Sequence, residues 1–83
     1  MELAMKELPK VSVKQKMSGI LLDISIAKIS MNYFEKSRSW LYHKLDGIDG
    51  NGKPTDFSDQ EKEQLRYALK DLSNRIAVCA DNL

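Results

Sequence analysis

Arg38, Ser39, Tyr42 and His43 place a guanidinium, a hydroxyl, a phenol and an imidazole within one short stretch of an 83-residue chain. On a helix, positions i, i+1, i+4 and i+5 fall on one side, so these four side chains would form a single polar face. Such groups suit the edges and phosphates of nucleic acid, and a guanidinium matches the paired acceptors of guanine. Lys28, Lys36 and Lys44 add cations of the kind that meet phosphate oxygens. The expected partner is double-stranded DNA.

A helix-turn-helix is the element that would hold this face. Residues 26–47 read as two short helices separated by a tight break. Ser25 caps the first of them, and Ile26, Ile29 and Tyr33 or Phe34 make its apolar side through residue 33. Ala27 is small where two helices would approach. Ser37 can cap the second, at about 38–45, on which Leu41 and Leu45 lie four apart and Asp46-Gly47 supplies a stop. Trp40 falls beside the leucine stripe, which favours core packing over stacking on a base. The same layout also serves as a plain αα-corner in helical domains that bind no DNA.

Around this motif the chain divides simply. Residues 1–11 read as a tether, in which Met5 offers a second start. Ser12 and Gln15 form a capping box, and Val13, Met17, Ile20 and Leu21 follow at helical spacing, which predicts a helix over about 13–22. Residues 46–57 are a Gly-rich loop in which Asp49-Gly50 and Asn51-Gly52 are strong turn pairs, with room for a small two-stranded ribbon. Ser58 and Glu61 make a second capping box ahead of a helix over about 59–80, with Phe57 placed as a hydrophobic staple.

That last helix carries Leu65, Leu69, Leu72, Ile76, Cys79 and Leu83 in steps of four and three. At 1.5 Å per residue it would run roughly 33 Å, longer than three short helices need to cover. Its second half either packs on the first helix or pairs with another copy, making a homodimer through Leu72, Ile76, Cys79 and Leu83.

Composition narrows the function classes. Cys79 is the sole cysteine and His43 the sole histidine, so neither an internal disulfide nor a Cys/His zinc site can form. With no acidic orienter at readable spacing, nucleophilic and acid–base catalysis have no candidates, and the chain is read as a non-enzyme without cofactor. An EF-hand frame on the loop puts Gly47 at the first ligand position and Ser58 where a bidentate Glu belongs, so no metal is expected. The longest apolar stretches fall short of the roughly 20 residues of a membrane span, and the N-terminus lacks a secretory apolar core. A cytosolic location follows as the expectation.

Net charge is only +1, yet residues 1–45 hold eight Lys/Arg against four acids, whereas residues 46–83 hold five against eight. This asymmetry suits a basic working face, although a solvated helix surface would show it too.

The run from Ser37 through Leu41 and Leu45 to Gly47, with a polar loop containing Pro54 and a further helix behind it, resembles the recognition-helix region of phage Cro and repressor-type domains. Those domains usually carry Gly in the turn. Here the turn is Phe34-Glu35-Lys36, about one residue longer. Tyr33 to Tyr42, Asn51-Gly52-Lys53-Pro54 and Phe57 to Ile76 together resemble a family of short bacterial proteins classed as a domain of unknown function, over roughly residues 12–80. That resemblance implies a small helix-turn-helix protein and brings no activity with it.

The expectation is therefore an all-α domain of four helices, with a helix-turn-helix at about 25–45 and a long C-terminal helix, acting as a DNA-binding regulator. The rival is a protein-interaction module in which the corner is structural and the C-terminal helix is the working surface. A core this small also leaves room for a fragment that folds only on a partner.

Overall fold

Ser12 opens the first described helix with a reciprocal cap: its hydroxyl accepts the Gln15 N–H, and its own N–H donates to the Gln15 side chain at 2.8 Å. The computed structural model describes residues 11–83. The tether expected over 1–11, Met5 included, lies outside the described residues except for Val11. Among the described residues four helices follow in order, α1 (Val13–Lys16), α2 (Ile26–Phe34), α3 (Trp40–Asp46) and α4 (Asp59–Asp81). The domain is all-α, as its sequence pattern implies.

The first helix is shorter than expected. It stops at Lys16, and residues 17–23 continue as turns in which Ile20 N–H donates to Met17 O and Asp23 N–H to Ile20 O. Ser18 and Gly19 explain the stop, since both weaken a helix and Gly does so most. Ile20 consequently faces solvent rather than the core, and Met17 alone anchors this segment among the buried residues.

The Ser25 hydroxyl accepts the Lys28 N–H at 3.1 Å and starts α2, which buries Ile26, Ile29 and Ser30. Leu41 and Leu45 bury α3 against it, with Leu41 fully enclosed. Removing a side chain like Leu41 costs about 2–5 kcal/mol, a large share of what a domain of this size possesses. Gly47, at φ 79, closes α3 by donating its N–H to His43 O at 2.8 Å.

Ser58 and Glu61 form the expected capping box, and α4 then places Leu65 and Ala68 in the core. The fully buried alanine is Ala68 on α4, while Ala27 is only half-buried. Phe57 is buried just ahead of the cap. Helix α2 is central, with α3 and α4 both packed on it, and α1 rests on α3. Tyr33 ties α2 to α4: its hydroxyl donates to Asp71 Oδ2 at 2.6 Å, its carbonyl accepts from Gln64 at 2.7 Å, and its ring meets Tyr67 edge-on.

The Gly-rich loop makes one antiparallel bridge, Ile48 with Pro54, in place of a ribbon. Its turn is organised by Asp49, whose carboxylate accepts the N–H groups of Asn51 and Lys53 at 2.8 and 2.9 Å. Those two donors hold the Asp49 carboxyl below the usual aspartate range, the Lys53 N–H contributing most. Among the described residues no helix is long and apolar enough to cross a membrane.

Candidate nucleic-acid interface

The turn between α2 and α3 governs how the polar face is presented. Glu35 takes the left-handed conformation at the end of α2, at φ 55 and ψ 41, where glycine would be unstrained. The N–H groups of Glu35 and Lys36 both donate to Ser30 O, and the Ser30 hydroxyl donates to Ser37 O at 2.6 Å. Ser30 is fully buried, so one side chain pins the turn from inside the core.

Its position was readable. Ile26, Ile29, Ser30 and Tyr33 lie at i, i+3, i+4 and i+7, which puts a hydroxyl on the apolar stripe of α2. A buried hydroxyl must find an acceptor, and here it finds the next segment of chain.

This arrangement moves the start of α3. Ser37 is not its cap: the Ser37 carbonyl accepts the Trp40 N–H at 3.2 Å as well as the Ser30 hydroxyl, and the N-cap position falls to Ser39. The connection between helices thus runs from Glu35 to Ser39, and Arg38 sits in the turn ahead of α3 rather than on its first turn. The Ser39 hydroxyl makes no capping bond.

Arg38, Ser39 and Tyr42 are all exposed, and Arg38 has no ion-pair partner among the described residues. Arg38 precedes the helix and Tyr42 stands on its first turn, four residues later. His43 is half-buried, and a Cβ added to Gly50 would lie 3.4 Å from its Cε1, so the imidazole rests against the loop.

The lysines separate into two kinds. Lys28 is exposed on α2, and Lys36 is exposed in the turn with its ammonium 5.7 Å from the Trp40 ring centre. Lys44 is placed differently, among partners of its own domain. Its side chain is 16% exposed, it pairs with Glu61 at 3.1 Å, it donates to Asp56 O at 2.7 Å, and its ammonium lies 5.5 Å from the same indole ring. An ammonium with three local partners is a strut between α3 and the head of α4.

Trp40 fills the role of packing residue, half-buried with its ring 4.9 Å from that of Phe34. The exposed candidates are therefore Arg38, Ser39 and Tyr42, with Lys36 and Lys28 also exposed and His43 half-buried. Their groups can donate and accept at base edges and neutralise phosphate.

The chain belongs to the family described as Domain of unknown function (DUF5053), whose model matches residues 13–83. The match opens on the first residue of α1 and takes in all four helices. No curated protein and no solved structure matches the chain.

Proposed function

We propose that this DUF5053 protein is a small helix-turn-helix regulator that binds duplex DNA and carries out no catalysis, with the head of α3 entering the major groove. The observation that supports this reading is the split within residues 38–45. Leu41 and Leu45 are buried and Ser30 fixes the turn, while Arg38, Ser39 and Tyr42 stay exposed beside Lys36. A rigidly seated helix with an open polar head can read base edges without a cost of ordering. Arg38 is the candidate base reader; Lys36 and Lys28 are the candidate phosphate contacts.

Selection from a random duplex library at two salt concentrations tests this. Arg38→Ala is expected to cost about 1–3 kcal/mol on the enriched site, and Lys36→Ala to weaken all sequences alike and reduce the salt slope by about one. Lys44→Ala should leave the salt slope unchanged. Absence of enrichment at low salt removes the reading.

A second reading, a protein-interaction module working through α4, is favoured by one observation. Ile76, Val78 and Leu83 are exposed on its distal half.

A further inference from the structure

Val11 lines a cleft of about 920 Å³ that runs between α1, the loop ahead of α4 and α4 itself. Met17, Phe57 and Leu65 form its buried floor, and Val13, Ile20 and Leu69 stay partly open to solvent along it. Its rim is cationic on both walls. Lys16 on α1 and Lys62 on α4 are exposed and have no ion-pair partner within residues 11–83, whereas Lys14 pairs with Asp46 and Arg66 with Glu63. A single turn such as α1 does not hold itself in water, yet it stands beside this uncovered surface.

The chain ahead of Val11 carries the complementary pattern. On a helix, Met1, Ala4, Met5 and Leu8 would share one side at i, i+3, i+4 and i+7, with Glu2 and Glu7 flanking it left and right and Leu3 and Lys6 on the far side. Pro9 ends that pattern, because the residue before a proline is driven out of helical geometry. We propose that residues 1–8 fold back into this cleft as an amphipathic turn of helix, with Met5 and Leu8 against Ile20 and Leu69 and the two carboxylates toward Lys16 and Lys62. Two flanking acids then meet two cations on opposite walls. Attachment at the rim favours this occupant over a free one. Only Pro9 and Lys10 separate the apolar stripe from Val11, so closure costs little and the effective concentration is of millimolar order. The proposal does not depend on DNA binding.

Methyl nuclear Overhauser contacts in the full chain test it. Contacts from Met5 and Leu8 to Ile20 and Leu69, unchanged on dilution, are expected. Leu8→Glu should remove them and lower the melting temperature by about 4–8 °C, whereas Leu3→Glu should do neither. Glu2→Lys combined with Glu7→Lys should weaken the same contacts, more at low salt than at high. Absence of the contacts, contacts that fade on dilution and so come from a second copy, equal effects of Leu3→Glu and Leu8→Glu, or a charge reversal without effect each overturns the proposal.

Discussion

The Ser30 hydroxyl donates to the Ser37 carbonyl at 2.6 Å, and this bond decides where α3 begins. Ser37 O also accepts from Trp40 N, closing a turn ahead of the N-cap position at Ser39. Arg38 is thereby carried into the turn, one step ahead of the helix it was expected to join.

Ser30→Ala is expected to lower stability by about 1 kcal/mol, the usual net value of one hydrogen bond, and to loosen the turn without creating a sizeable cavity. Chemical denaturation measures it. A change below about 0.3 kcal/mol would mean that the turn is held by the two N–H bonds to Ser30 O alone.

Glu35 occupies a left-handed backbone position with an ordinary side chain. Glu35→Gly should therefore stabilise the domain by about 0.5–1 kcal/mol, relief of the left-handed strain outweighing the added freedom of the unfolded chain. A melting temperature that falls would show the Glu35 side chain contributing more than its backbone costs.

Gly19 has no positive φ, and a Cβ there meets nothing within 4 Å. Gly19→Ala is expected to raise stability by about 0.4–1 kcal/mol and to increase helical circular dichroism slightly as α1 lengthens. Gly47→Ala, at φ 79, should do the reverse. Equal effects from both would remove the conformational explanation.

Partial burial opposes ionisation of Glu61, but the Ser58 N–H and the Lys44 ammonium outweigh it and hold this carboxyl below the usual glutamate range. Since its folded-state value lies below its unfolded one, its contribution is complete above the ordinary range and is lost as pH falls through the lowered folded value. Asp49 acts in the same direction. Thermal melts should therefore show stability declining with acid below about pH 4.5. Glu61→Gln keeps an acceptor for the cap and should flatten part of that decline; superimposable profiles would contradict it.

Much of this architecture is legible in residue order, and the exceptions have physical causes. The Ser58–Glu61 box and the four–three spacing of Leu65, Leu69 and Leu72 locate α4 because caps and periodicity are local. The stop after α1 is local too, but the apolar spacing of Ile20 and Leu21 outvotes Ser18-Gly19 when the turns that follow are not visible. The start of α3 depends on Ser30, seven residues before Ser37, and the inward turn of Lys44 depends on Glu61 and Asp56. The acceptor of the Ser30 hydroxyl and the partners of Lys44 leave no periodic trace. For the candidate interface, the exposure of Ser39 accords with the buried Leu41 and Leu45, whereas that of Arg38 comes from its place in the turn and the lean of His43 on Gly50 requires the loop to be folded back.

The brevity of α1 bears on the order in which the domain assembles. Contacts between α2 and α3 close over few residues, so this corner can form early. Helix α1 reaches α3 through Met17 and the exposed Lys14–Asp46 pair, 32 residues apart in the chain. One turn of helix held by the buried Met17, the partly buried Val13 and one solvated ion pair is the cheapest piece of this fold to detach. Its departure would bare Leu45, Phe57 and Leu65, which border the same cleft as Met17, and leave the seat of α3 on α2 intact. Local opening at this turn would reach the apolar surface beneath it at less cost than unfolding the domain.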